Sequence, residues 1–413
     1  MQPFLYPILL VLCISGCTSY SSISQIAAMP EPLIYSDLNI KNYFFPRKLK
    51  ENKDIFYITD REPTKKVDIA TYYNSNRSSI LRVGSGEVQS SILNNKNKIN
   101  ISKIDEYGYL TAALPYGKLT SRSDDHLKKI PIADSLFAEK INRKLSTSSQ
   151  KDIYIYVHGY KTVFENPLLV SSEFWQYMNN DGVFIAYAWP ATPKRLAYFK
   201  DVETAQLSGH NLRLFIEYLN HHTDVERIHI IGYSAGTRVV ITAIQQLALK
   251  HHDKDNEFIK QHIRIGNVIL AASDYDSRIF AASAGNELLN IPEMMTIYMS
   301  STDDALGLSN LLFSEGRLGQ FIENSNNMPN TTKMFFTNNK KLFFINASNA
   351  QKANSGNGHG YFFNSPWVSS DLLLILKHNL SPQKRGLIKE KDKINWSFSN
   401  NHVERLSTIS SRK

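Results

Sequence analysis

Between the apolar run Arg227-Ile228-His229-Ile230-Ile231 and a helix-like stretch from Thr237 to Leu249 stands the pentapeptide Gly232-Tyr233-Ser234-Ala235-Gly236. A serine flanked by glycines at a strand-to-helix junction reads as a nucleophile elbow. The turn strains the serine backbone, and the missing glycine side chains let strand and helix approach. Five residues alone carry little weight. The context strengthens them, because a β-rich run ends at Gly232 and an Ala/Val/Ile/Leu/Gln-rich helical pattern starts directly after Ser234.

Beyond residue 151 short, nearly continuous apolar runs alternate with longer helical segments. That alternation predicts a mostly parallel, doubly wound sheet covered by helices on both faces. The expected strands are 152 to 157, 182 to 188, 227 to 232, 266 to 272, 294 to 299 and 341 to 346. The expected helices are 201 to 221, 235 to 251 and Trp367 to Leu380. Residues 53–150 read as short strands, such as 54–61 and 108–114, broken by Asn/Ser/Lys-rich loops and added to the edge of that sheet. The expected organisation is therefore an α/β domain over 53–380, with an N-terminal β extension at 53–150 and a core at 151–380. It is followed by a basic polar tail at 381–413. A helix from Ser309 to Phe321 is expected over a shallow or partly lidded site, in an insertion too short for a large cap.

A serine hydroxyl is a poor nucleophile at neutral pH and needs a general base, normally a histidine oriented by a carboxylate. In a doubly wound sheet such groups sit on loops at the carboxyl ends of strands. His359, in Ser355-Gly356-Asn357-Gly358-His359-Gly360-Tyr361, follows the last expected strand and fits the chain order Ser, acid, His of α/β-hydrolases. His251 and His252 lie more than four turns along the helix that begins at Ser234, too far to reach it. Asp303 is the preferred acid, since it follows the strand just before that of the histidine; Asp274 and Asp304 are the alternatives. One oxyanion donor is expected at the N–H of Ala235, and the second at Tyr160 in Val157-His158-Gly159-Tyr160. Trp189, Tyr160 and Phe362 are candidates for the wall of the site, which would suit an acyl or aromatic ester. No nucleotide loop, metal-ligand spacing or dinucleotide fingerprint is present, so no cofactor and no metal are expected.

Six blocks together carry a family resemblance: Tyr57-Ile58-Thr59-Asp60-Arg61, Val157-His158-Gly159-Tyr160, Ala188-Trp189-Pro190, Gly232 to Gly236, Tyr298 to Leu306 and Gly358-His359-Gly360-Tyr361-Phe362. From about residue 54 to 380 the chain resembles the bacterial α/β-hydrolase family known as domain of unknown function 900. The resemblance implies the α/β-hydrolase fold and a triad of Ser234, Asp303 and His359. Tyr233 departs from the pattern, since histidine more often precedes the serine in such families. The substrates of the family are not settled.

The N-terminus adds a location. Phe4 to Leu12 is an apolar run too short to span a bilayer, and it closes on Ile14-Ser15-Gly16-Cys17. The aliphatic, two small residues and cysteine resemble a bacterial lipoprotein box, although no Lys or Arg precedes the run. Residues 1–16 are then a signal peptide, Cys17 carries lipid, and 17–52 form a tether. Thr18 in place of Asp favours the outer membrane of a Gram-negative-type envelope, facing the periplasm, by resemblance to sorted lipoproteins. The only other cysteine, Cys13, would be removed, so no disulfide is expected. The formal charge of +9 arises largely in the tail, where 381–413 hold eight Lys/Arg against three Asp/Glu. No nucleic-acid-binding motif accompanies it, and nucleic acid is not an expected partner. The tail reads as a mobile or surface-lying extension, with contact to anionic headgroups as the sharper alternative.

The sequence thus points to a membrane-anchored serine hydrolase acting on carboxylic esters, with an acyl or ester substrate and the bilayer as partners. A peptidase or thioesterase with the same triad, and a noncatalytic envelope lipoprotein that uses the fold for binding, are the alternatives.

Overall fold

The computed structural model of the 413-residue chain describes residues 29–411 apart from 45–53, 65–67, 94–95, 114–128, 194–197, 286, 305, 307–315, 321–329 and 392. The central strands form where the sequence is apolar on both faces: β4 (Asp152–Val157), β5 (Val183–Tyr187), β6 (Arg227–Tyr233), β7 (Ile265–Ala271), β8 (Met294–Met299) and β9 (Leu342–Asn346). Every residue of β4, β5, β7 and β8 is buried, as expected for parallel strands covered by helices on both sides. These six agree with the sequence expectation to within a residue or two.

Three strands precede them: β1 (Asp54–Pro63), β2 (Tyr73–Leu93) and β3 (Lys96–Tyr109). Two follow: β10 (Ile388–Lys389) and β11 (Asn395–Ser397). All eleven lie in one sheet of order β10-β11-β9-β8-β7-β6-β4-β5-β1-β2-β3. From β11 to β1 the neighbours are parallel, while β10, β2 and β3 pair antiparallel. The fold is α/β, with one helical layer on each face. Helices Asp134–Leu145, Tyr198–His222 and Gly236–Lys250 bury Phe137, Leu212 and Val239 on one side. Helices Glu165–Tyr177 and Pro366–His378 bury Leu168, Phe174 and Leu372 on the other.

The N-terminal extension lies on the sheet edge, but its strands are long. The Ser- and Asn-containing β2 runs for 21 residues, pairing with β1 on one side and β3 on the other, and Ile80 to Gly86 within it are all buried. The expected strand 108–114 is corrected: β3 stops at Tyr109, and Thr111–Ala113 is a 3-10 turn.

Two further expectations are overturned. Residues 17–52 were expected to form a tether, yet in the described part Met29, Ile34, Tyr35, Ile40 and Phe44 are buried against the domain. Ile34 N–H donates to Ser370 Oγ at 3.1 Å, Met29 N–H donates to Glu173, and His378 Nε2 donates to Phe44 O at 2.8 Å. Leu38–Phe44 is a helix of two turns, too short for its apolar residues to show a period. Likewise the described part of 381–413 is not a loose tail. It supplies β10, β11 and the helix His402–Ser411, and buries Leu387, Ile394, Phe398 and Leu406. Each such side chain contributes about 1.5–3 kcal/mol on burial. Its buried Arg385 meets the buried Asp371 of Pro366–His378. The lysines set the composition, while the few residues that dock set the structure.

The expected signal peptide and Cys17 lie outside the described residues, as does most of Ser309–Phe321; within that span Leu318–Gln320 is a 3-10 turn. Among the described residues no helix is long and apolar enough to cross a membrane.

Candidate active site

The carboxyl end of β6 delivers Ser234 into the turn before helix Gly236–Lys250 with φ of 52°, a left-handed conformation rare for a residue with a side chain. Such strain costs about 1–3 kcal/mol and persists only where neighbours over-determine it. Here Ser234 N–H donates to Ala271 O at 3.0 Å, and Ser234 O accepts from Thr237 N–H at 3.0 Å and from Thr237 Oγ1 at 2.6 Å. A Cβ at Gly236 would collide with the carbonyl oxygens of Val157 and His158, so the glycine is what lets the helix start beside β4.

Two other strand ends bring groups to the serine. Asp303, 1% exposed, follows β8, and His359 lies on the loop after β9. Asp303 can only accept, so His359 Nδ1–H donates to its carboxylate, at 2.7 Å from Oδ2 and 2.9 Å from Oδ1. That leaves Nε2 as an acceptor, and Ser234 Oγ–H donates to it at 2.8 Å. Asp303 is itself held by Leu306 N–H, which donates to Oδ1 at 3.2 Å, and by Gln320 Nε2, which donates to its carbonyl at 2.6 Å. The histidine loop turns at Gly358, where φ is +70° and a Cβ would strike the Thr302 carbonyl.

The two alternative carboxylates lie elsewhere. Asp274 is buried against Arg238 Nε at 3.3 Å and Arg317 Nε at 3.7 Å, and Asp304 is exposed, with its N–H donating to Asn357 O. A relay through His359 therefore runs to Asp303.

Sequence reasoning assigned no part to Tyr361, two residues beyond the histidine. Its buried hydroxyl accepts from Ala272 N–H at 2.8 Å and donates to Tyr298 O at 2.9 Å, tying the loop to the ends of β7 and β8. Tyr233 Oη donates to His359 O at 3.4 Å from the other side. Replacing Tyr361 with phenylalanine leaves a buried N–H and a buried carbonyl short of a partner. A loss of about 1–3 kcal/mol in unfolding free energy is expected by urea titration.

The loop after β4 approaches Ser234 directly: a Cβ at Gly159 would stand 2.9 Å from Ser234 Cβ. Half-buried Tyr160 follows it, and Ala235, directly after the serine, is the N-cap residue of helix Gly236–Lys250. Beneath this loop lies a buried scaffold. Arg61 Nε donates to Trp189 O at 2.9 Å and to Ala188 O at 3.2 Å, and its Nη2 donates to Thr162 O at 2.8 Å. Burial pushes the guanidinium down to about 10, so it stays charged at neutral pH. Trp189 Nε1 donates to His158 O at 2.6 Å and its ring stacks on His158, so Trp189 is a support inside the core and not a wall of the site. Burial, with Arg61 beside it, pushes His158 down to about 3 and keeps it neutral. Both residues stand in motifs visible in the sequence, but no spacing links Arg61 to a loop a hundred residues away.

Among the described residues no group of three or more His, Cys, Asp or Glu could hold a metal ion. The family model described as alpha/beta hydrolase of unknown function (DUF900) matches residues 133–376, more than half of the chain. The match starts later than the resemblance drawn from the motifs and leaves the block with Arg61 outside. No curated protein matches the chain.

Proposed function

The chain belongs to the α/β-hydrolase family of unknown function DUF900, and on that premise we propose that it is a serine hydrolase cleaving carboxylic esters through an acyl-enzyme. The observation that carries the reading is the unbroken relay from Ser234 Oγ through His359 to the buried Asp303, with contacts of 2.8 and 2.7 Å.

In this reading Ser234 Oγ attacks the ester carbonyl while its proton passes to His359 Nε2. Asp303 holds the imidazole in the tautomer that can receive it and stabilises the imidazolium that forms. The oxyanion of the tetrahedral intermediate accepts from the N–H groups of Ala235 and Tyr160. Collapse breaks the ester C–O bond, and His359 returns the proton to the leaving alcohol. A water then attacks the acyl-enzyme, with His359 taking its proton and giving it to Ser234 as the carboxylic acid departs. Thioesters and amides would follow the same steps. The proposal extends to location: cleavage before Cys17 and its lipidation would hold the enzyme on the outer membrane, facing the periplasm.

The direct test is labelling by a fluorophosphonate, which Ser234 attacks at phosphorus with loss of fluoride. Folded protein is expected to label and Ser234→Ala to remain unlabelled. Folded protein that fails to label overturns the reading in favour of a noncatalytic envelope role. Relative kcat/KM on an ester, a thioester and an amide of one acyl group then ranks the leaving groups, with the ester expected first.

A further inference from the structure

The loop after β4 turns through Lys161, where φ is 59°, a left-handed conformation that a residue with a side chain keeps only where its neighbours over-determine it. Two carbonyls bracket that turn, and both lead back to Arg61 on β1. Beyond the turn, Thr162 O accepts from Arg61 Nη2 at 2.8 Å. Before it, Gly159 O lies 2.7 Å from His158 Nδ1, and the other ring nitrogen of that histidine lies 3.5 Å from Arg61 Nη2. The linking side chains are buried, Arg61 at 2% and His158 at 1% exposure.

What Arg61 does to the histidine follows from counting protons. The imidazole is neutral, because burial and the neighbouring guanidinium both disfavour its charged form. Its single N–H has two claimants, Gly159 O beside Nδ1 and Trp189 O at 3.1 Å from Nε2. Trp189 O already accepts from Arg61 Nε at 2.9 Å, and a proton on Nε2 would face the Nη2 donor of the same cation. Arg61 therefore leaves Nε2 as the acceptor and puts the proton on Nδ1, which donates to Gly159 O.

That bond fixes a peptide plane. The Gly159–Tyr160 peptide is trans, so Tyr160 N–H points opposite to Gly159 O and away from the buried ring. Gly159 is also the residue that passes closest to the serine, where a Cβ would stand 2.9 Å from Ser234 Cβ and 3.1 Å from the Tyr233 ring. A small rotation of this one peptide would turn the N–H out of line.

We propose that Arg61 is a positioning residue of the oxyanion site: it holds Thr162 O directly and sets the tautomer with which His158 holds Gly159 O, so that Tyr160 N–H meets the oxyanion. It acts through the loop and not on the substrate. The inference rests on the serine-hydrolase reading above, and it gives a part in the reaction to a residue outside the span 133–376 that the family model matches.

The test measures kcat and KM for 4-nitrophenyl butyrate, normalised to folded protein. Arg61→Met is expected to lower kcat about 100-fold with KM changed by less than about threefold, the pattern of a donor that matters only in the transition state. Placed on His158→Asn, whose amide donates from the Nδ1 position with no tautomer to set, the same substitution is expected to cost only about tenfold. An arginine with a purely structural part would cost the same in both backgrounds. His158→Leu removes the donor to Gly159 O with Arg61 in place, and it is expected to lower kcat about 100-fold, which keeps the proposal testable if Arg61→Met does not fold. Equal costs in the two backgrounds, a loss carried by KM, or undiminished kcat in His158→Leu overturns the positioning role, while Ser234-dependent labelling leaves the serine hydrolase standing. Absence of that labelling overturns both.

Discussion

Asp303→Asn is expected to lower kcat about 10⁴-fold with little change in KM, the size of effect seen when the triad carboxylate of a serine protease is made an amide. The reason is a tautomer. Asp303 takes Nδ1–H at 2.7 Å, which leaves Nε2 to accept from Ser234 at 2.8 Å. An asparagine turns its NH₂ to Nδ1, the proton moves to Nε2, and the nitrogen facing Ser234 can no longer take a proton. Asp274→Asn gives the contrast. It removes a charge facing Arg238 and Arg317, so it is expected to cost stability while kcat per folded molecule stays within about tenfold. Steady-state kinetics on a soluble ester, normalised to folded protein, separates the two. If Asp274→Asn alone abolished turnover, the assignment of the acid would be wrong.

Arg385→Ala is expected to cost about 3–5 kcal/mol of unfolding free energy, the largest loss anticipated from a change far from the site. Arg385 and Asp371 are both fully buried. The guanidinium pairs with the carboxylate, which also accepts from Tyr298 Oη, and Arg385 Nε donates to Leu380 O at 3.0 Å. Without the cation, Asp371 remains as a buried charge. Burial already raises the pKa of this carboxyl above its ordinary value, and losing Arg385 would raise it further. Its stabilising contribution is complete below the ordinary carboxylate range and is lost as pH rises through the raised value. The penalty of the variant should therefore be smaller at pH 5 than at pH 8. Denaturant unfolding at the two pH values reads this, and a pH-independent penalty would count against an uncompensated carboxylate. Adding Asp371→Asn to the variant should recover part of the loss.

What could be read from the sequence follows burial and order along the chain. The strands β4 to β9 were legible because both faces are covered, so their residues are apolar without interruption. The meeting of Ser234, Asp303 and His359 was legible because parallel strands gather their carboxyl ends on one edge, which left few candidates. The helix Glu165–Tyr177 was missed for the opposite reason. It is buried around most of its circumference, Ser171, Ser172 and Glu173 included, so it shows no polar face against which a period could be recognised. The docking of 29–44 and 381–411 was missed because elements of two to ten residues give little periodicity, and a partner such as Asp371 for Arg385 is set by tertiary packing. Tyr361 and Arg61 act through backbone carbonyls and amides, which have no sequence signature at all.

The packing of Met29 and its neighbour Pro30 has a consequence for where the enzyme can work. Pro30 lines the polar depression that contains His359, so the first described residues stand at the mouth of the proposed site. If Cys17 carries the lipid, only the chain from Cys17 to Met29 separates mouth from anchor, a leash of roughly 40 Å even at full extension. The docked segment thus shortens the reach that a free tether to residue 52 would have given. On the proposed reading, esters in or just above the bilayer would lie within that radius, and those dispersed through the compartment would have to come to it.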